Sequence, residues 1–141
     1  MMYKKILVPT DGSEVAKKAQ KHAFYLAKQS GAELIALTVT ENNFINGLPL
    51  DDEVYAVNQI LKEQSKQNLQ AFNELNEDNL EITNVIKEGS PADLILEESK
   101  EREVDLIVIG SSGKSGFDRF IMGSVADKVV NSAKCAVLVV H

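Results

Sequence analysis

Short, nearly continuous apolar runs alternate along the chain with longer segments of helical periodicity. Runs of this kind are typical of strands that are covered on both faces, as in parallel sheets. The predicted strands are Tyr3–Pro9, Leu34–Thr40, Leu80–Ile86, Val104–Gly110 and Ala136–Val140. Because the segments between them have helix length, the alternation predicts an α/β fold with a parallel sheet and helices on both of its faces.

The segments between the runs carry helix start and stop signals. Ser13 followed by Glu14 predicts an N-cap, and Gly31 predicts the C-terminal cap of the same helix. Ser90 followed by Pro91 is a second start signal. The remaining predicted helices begin at Asp51 and span Ser124–Ala133. The polar run 62–68 within the Asp51 helix predicts a solvated face.

The carboxyl ends of the first and fourth strands carry turn-forming polar sequence. These stretches are Pro9–Ser13 and Gly110–Gly116. Right-handed crossovers make an open doubly wound sheet the simplest topology, and its ligands bind beyond the strand ends where the strand order reverses. We therefore expect the functional site between the ends of strands one and four.

The loop after strand four has a glycine pattern suited to phosphate. Gly110 and Gly113 are followed after nine residues by Gly123, and Ser124 begins the last helix. Glycines allow close approach to the backbone, and the N–H groups of a loop and a helix N-terminus attract anions. A P-loop is excluded because the position that needs its first glycine is Val108.

On these residues the chain resembles the universal stress protein family, in its ATP-binding branch. The resemblance runs from the Ile6–Ser13 segment through the glycine pattern and the helix after it to the segment that begins at Cys135. One departure is Ala136, where the family often has proline. The resemblance implies one domain over residues 1–141, built on an open doubly wound five-stranded parallel sheet of the adenine nucleotide alpha hydrolase type with strand order 3-2-1-4-5.

The resemblance also implies an adenine nucleotide site with ATP as the cofactor. Asp11 would meet the ribose or phosphate side of the nucleotide. Residues expected to border the adenine and ribose are Pro9, Thr10 and Val39, and those expected to hold the triphosphate are Gly110, Gly113, Gly123, Ser124 and Val125. Whether Mg²⁺ or Mn²⁺ accompanies ATP is left open.

The last apolar run predicts a partner. Ala136–Val140 is expected at a sheet edge, and an unprotected apolar edge invites pairing with another chain. With the resemblance, this predicts a homodimer through the last strand. The formal net charge of −6 argues against nucleic acid and anionic membranes as partners. With one cysteine and no apolar leader before Asp11, we expect a cytoplasmic protein.

Several residues have two interpretations. Asp11 is either a ligand-binding acid or a turn residue that accepts hydrogen bonds from nearby N–H groups. Lys114 and Arg119 either reach phosphates or are solvated. Cys135 is either a redox sensor or, as is more common, a small core residue. His22 and Asp127 are expected on the surface.

The function most consistent with these patterns is an ATP-binding stress-response regulator with little or no turnover. No catalytic residue is assigned, because the sequence has no evident general base, His-paired nucleophile or cluster of metal-binding acids. A weak ATPase, an autophosphorylating enzyme or a nucleotidyl-transfer relative is the second hypothesis. The third is an interaction module that binds no nucleotide.

Overall fold

The computed structural model describes residues 2–41, 52–112 and 122–141, and within them strands and helices alternate strictly. The strands are β1 Lys5–Pro9, β2 Glu33–Thr40, β3 Ile82–Glu88, β4 Leu106–Gly110 and β5 Ala136–Val140. The helices are α1 Glu14–Ser30, α2 Asp52–Glu74, α3 Pro91–Glu101 and α4 Ser124–Ser132.

The strands form one parallel sheet in the order β3-β2-β1-β4-β5. This confirms the predicted open doubly wound sheet with order 3-2-1-4-5. The strand order reverses between β1 and β4, since the chain moves outward to β3 on one side and to β5 on the other. The carboxyl ends of β1 and β4 are therefore adjacent, which is where such sheets place their ligands.

A hydrophobic core lies on each face of the sheet, so the prediction of helices on both faces is also confirmed. On one face α1 and α2 pack on the strands through side chains that include Ala23 and Phe72. The Phe72 ring contacts that of Phe24 at a centroid distance of 4.9 Å, which ties the two helices together. On the other face α3 and α4 contribute Ile95 and Val129. Small residues on α1 let that helix lie close to the sheet.

Strand β3 begins and ends two residues later than the sequence predicts. Its bounds follow from pairing with β2, which matches Leu34 with Ile82 and continues to Thr40 with Glu88. Charged residues fit the end of this strand because β3 is an edge of the sheet and most of its side chains are exposed. A search for an apolar run therefore places the strand too early.

The predicted solvated face of residues 62–68 is only partly correct. Ser65 is buried, with 4% of its surface exposed, and Asn68 is half-buried. Val57, an apolar residue of the same helix, is 45% exposed. The reason is that α2 packs on the sheet mainly through its C-terminal part, where Leu69 and Phe72 are buried, while the preceding turns extend beyond the strand ends.

None of the helices in the described ranges is long and apolar enough to cross a membrane.

Candidate functional site

A cavity of about 780 Å³ opens at the carboxyl ends of the strands. Its walls come from the ends of β1, β2 and β4, from α2, from the N-terminal parts of α1 and α3, and from the first turn of α4. Eight of the nine residues predicted to contact a nucleotide line it: Pro9, Thr10, Asp11, Val39, Gly110, Gly123, Ser124 and Val125. The ninth, Gly113, lies outside the described residues, as do Lys114 and Arg119.

One end of the cavity is formed by the N-terminus of α4. Gly123 is the N-cap residue and, because glycine has no side chain, it supplies no cap for the N–H groups of the first turn. The Gly123 N–H donates to the Ser111 carbonyl at 2.6 Å, and the Ser111 N–H donates to the Val140 carbonyl at 2.8 Å. These bonds fix the helix start against β5. The N–H groups of Ser124 and Val125 have no carbonyl partner earlier in the helix, so this end of the cavity attracts anions.

The two described glycines of the motif lie where chain segments approach each other closely. A Cβ on Gly110 would come within 2.9 Å of Val15 Cγ1 and 3.2 Å of the Val15 carbonyl carbon. A Cβ on Gly123 would come within 3.3 Å of Ser112 Cα. Both positions therefore favour glycine for packing within the protein, in addition to any approach of a ligand.

Asp11 is a turn residue that also lines the cavity. Its Oδ1 accepts a hydrogen bond from the Ser13 N–H at 2.9 Å, which is an Asx turn at the end of β1. Ser13 in turn caps α1 by accepting from the Ala16 N–H at 3.2 Å. Asp11 also lines the cavity, so the turn holds its carboxylate at the site.

A buried polar network that sequence reasoning missed supports the end of β1. The side-chain amide of Gln20 donates to the Thr10 hydroxyl, and the Thr38 hydroxyl donates to the Thr10 carbonyl at 3.3 Å. All three residues are at least 97% buried. The Thr10 hydroxyl thus accepts a hydrogen bond from α1 and the Thr10 carbonyl accepts one from β2, so this residue connects the end of β1 to both elements.

Helix α2 forms a wall of the cavity that sequence reasoning also missed. Leu61, Ser65 and Asn68 face the strand ends at spacings of four and three residues. The hydroxyls of Ser65 and Thr40 share a hydrogen bond of 2.7 Å, which joins α2 to the end of β2. These residues have helical spacing, but the two polar ones, Ser65 and Asn68, fall within the polar run 62–68, which predicts a solvated face.

The described lining contains two acidic side chains, Asp11 and Glu41, and no lysine or arginine. A group of three or more His, Cys, Asp or Glu side chains that could hold a metal ion does not occur in the described part of the chain. Attraction for an anion therefore comes from backbone N–H groups at the α4 end, and the acids favour hydroxyl groups or a cation elsewhere along the wall.

Cys135 lies far from this cavity, in a smaller one of about 360 Å³ near the amino ends of the strands. Burial raises the pKa of its thiol, and the charge of Asp105 adds to that increase, while a backbone hydrogen bond opposes it. A raised pKa favours the neutral thiol, which fits a small packing residue better than a reactive sensor. His22 and Asp127 are exposed, as the sequence predicts.

Comparison with known proteins matches the whole chain to one group of relatives. The model of the universal stress protein family matches residues 2–141. Universal stress protein MJ0531 of Methanocaldococcus jannaschii is 39% identical over 140 residues, which is 99% of this chain and 82% of that protein. The solved structure of MJ0577, a universal stress protein of the same organism, has a TM-score of 0.86 at 31% identity and covers 99% of this chain and 96% of its own. A universal stress protein solved in complex with cAMP has a TM-score of 0.66 at 29% identity and covers 100% of this chain and 99% of its own.

Proposed function

The chain belongs to the universal stress protein family, and we propose that it is an ATP-binding regulatory member with little or no turnover. The observation that carries this proposal is the cavity at the switch point of the sheet, which is lined by eight residues of the predicted nucleotide site. Its volume lies in the range of about 300–1,000 Å³ that is usual for small-molecule sites. The related structure that holds cAMP supports an adenine ligand.

The lining of the cavity suggests how ATP is oriented. The phosphates bind at the α4 end, where the N–H groups of Ser124 and Val125 begin the helix. The apolar side chains of Val39 and Leu61 suit the base at the α2 end. The ribose then lies between them, beside Asp11. This order follows from the nucleotide itself, because the ribose joins the base to the phosphates.

Little or no turnover follows from the chemistry of the walls. Phosphoryl transfer usually needs a residue that orients water or a hydroxyl beside the γ-phosphate, and metal ligands close to it. In the described lining, Asp11 and Glu41 are the only acids, and Asp11 already supports the turn to α1. If Mg²⁺ or Mn²⁺ accompanies ATP, the phosphates and one or both of these carboxylates would hold it. Slow hydrolysis is tested by measuring ADP release from the purified protein.

Calorimetric titration with ATP, AMP, cAMP and GTP tests the proposed ligand. The informative variant is Ser124→Asp, since an acid in the first turn of α4 stabilises the helix but repels a phosphate. We expect ATP affinity to fall about tenfold or more. Ser124→Ala, which keeps the backbone N–H groups, should lose only about 1 kcal/mol of binding energy.

The matched control is Ser132→Asp, which adds the same charge at the other end of the same helix. It should leave ATP affinity unchanged. Wild-type protein that binds none of these nucleotides would refute the proposal and leave the interaction module as the better hypothesis. Equal loss of affinity in both aspartate variants would place the phosphates elsewhere.

We also propose a cytoplasmic homodimer of this single domain, formed through β5. Of the two sheet edges, β3 carries charged residues such as Lys87 and Glu88, which disfavour pairing with another strand, whereas β5 is wholly apolar. Leu138→Lys should therefore shift sedimentation toward the monomer. Ile86→Lys, at an exposed apolar position of β3, should not. A wild-type chain that sediments as a monomer at millimolar concentration would contradict the dimer.

A further inference from the structure

Asn68 of α2 lies directly against the turn that follows β1. Its Oδ1 is 2.7 Å from the point where a Cβ on Gly12 would stand, so the contact exists only because residue 12 is a glycine. Gly12 also has a φ of +80°, which other residues rarely adopt. The carboxamide therefore lies next to Asp11, and both residues line the cavity.

The rotation of α2 that places Asn68 there is fixed by contacts on both sides of it along the helix. Toward the C-terminus, Leu69 and Phe72 are buried in the core between α2 and the sheet. Toward the N-terminus, the Ser65 hydroxyl bonds to Thr40 at the end of β2. Asn68 is half-buried, and its side chain makes no hydrogen bond to another residue of the described ranges. Its carboxamide is thus held in place without forming a hydrogen bond to the described part of the protein.

The chemistry of this pair of side chains selects a particular ligand group. Asp11 is an acceptor, and one of its oxygens already binds the Ser13 N–H. A carboxamide both donates and accepts. A hydroxyl group satisfies both at once, since it donates to the carboxylate and accepts from the amide. A phosphate is disfavoured because the carboxylate repels it and the described lining has no lysine or arginine.

We propose that Asn68 is a ligand-binding residue of this site and that, together with Asp11, it recognises the ribose hydroxyls of the bound nucleotide. This inference rests on the proposed function. The position agrees with the orientation given above. Asp11 and Gly12 follow β1, which lies between β2 and β4 in the sheet, and Asn68 approaches this turn from α2. Asn68 consequently helps the site to distinguish ribonucleotides from deoxyribonucleotides.

The test compares ATP with 2′-deoxy-ATP and 3′-deoxy-ATP in calorimetric titrations of wild type and Asn68→Ala. In wild type, removal of a recognised hydroxyl should weaken binding about three- to tenfold. In Asn68→Ala, ATP should bind about three- to tenfold more weakly, while the affinity for the deoxy analogue that lacks that hydroxyl should change little. The preference for ATP over that analogue should therefore shrink. Gln67→Ala, at an exposed neighbouring position of α2, is the matched control and should keep the wild-type preference.

A purely structural role for Asn68 would give a different result. It would weaken all three nucleotides equally, and this outcome would overturn the inference, as would an unchanged preference for ATP. Asn68→Leu keeps a side chain of similar size beside Gly12 but can neither donate nor accept, so it should lose the preference even if the alanine variant folds poorly. Wild-type protein that binds no adenine nucleotide would refute the proposed function and this inference with it. ATP binding that is retained with an unchanged preference in both Asn68 variants would refute the inference alone.

Discussion

Replacing Gly110 by alanine should destabilise the protein because of contacts within the fold. The added methyl would stand 2.9 Å from Val15 Cγ1 and 3.2 Å from both the carbonyl carbon and oxygen of Val15. Carbon atoms pack best at about 3.5–4.0 Å. Two of the three contacts are with the backbone of the first turn of α1, which cannot rotate away as a side chain can. The helix start must therefore move by several tenths of an ångström.

Overpacking of this kind costs about 1–3 kcal/mol. For a chain of 141 residues the entropy of unfolding is about 0.3 kcal/mol/K, so the melting temperature should fall by about 3–10 °C. Urea unfolding monitored by circular dichroism gives the free energy directly. Because the turn that holds Asp11 begins α1, we also expect weaker ATP binding in the same variant.

A double-mutant cycle with Val15→Ala identifies the source of the loss. This second change removes the Cγ1 atom, the nearest obstacle, but leaves the Val15 backbone in place. Gly110→Ala should then cost about 0.5–1 kcal/mol less in the Val15→Ala background than in wild type. An equal cost in both backgrounds would show that the clash is not with the Val15 side chain, and a Gly110→Ala protein of full stability would refute the packing argument altogether.

Three further results are expected. Asp11→Asn keeps the acceptor for the Ser13 N–H and should therefore lose ATP affinity without losing stability, whereas Asp11→Ala should lose both. The surface control Asp127→Asn should lose neither. Calorimetric titration with ATP and urea unfolding of all three variants test this. Glu98→Ala removes a carboxylate that is 4% exposed and that binds two basic side chains. Because the two basic side chains can reach solvent, urea unfolding should show that the free energy of unfolding falls by about 1–3 kcal/mol rather than more. Because burial raises the pKa of the Cys135 thiol, the folded protein retains this proton at a pH where the unfolded chain has lost it, so wild type should lose more stability than Cys135→Ala as the pH rises above the ordinary thiol pKa.

The sheet could be predicted from sequence because its strands obey simple physical rules. Buried parallel strands must be apolar on both faces, which makes β2 and β4 visible as continuous runs, and the handedness of crossovers leaves few strand orders. The predicted bounds of the edge strand β3 are two residues too early, because pairing with β2, rather than the hydrophobicity of β3 itself, sets where the strand begins and ends. Pairing with a distant strand leaves no local signal in the sequence.

Part of the candidate site could be predicted as well, namely the part that lies at strand ends and helix starts. Pro9 to Asp11 and Gly123 to Val125 follow or precede elements that the sequence marks clearly. Gln20 and Asn68 could not be found in this way. A buried glutamine on α1 and a half-buried asparagine in a polar run have the same local pattern as solvated residues, and only the approach of another element distinguishes them.

Two separate reasons favour glycine at the positions around the cavity. Gly12 makes room for Asn68, Gly110 makes room for Val15, and Gly123 makes room for the backbone of the loop that follows β4. Each of these contacts is between parts of the protein and would favour glycine even if no ligand were bound. These three glycines therefore indicate first how closely α1 and α2 approach the strand ends, and how closely the start of α4 approaches the loop after β4. What argues for a nucleotide is the space that remains between those elements, with N–H groups at one end and hydrogen-bonding side chains at the other.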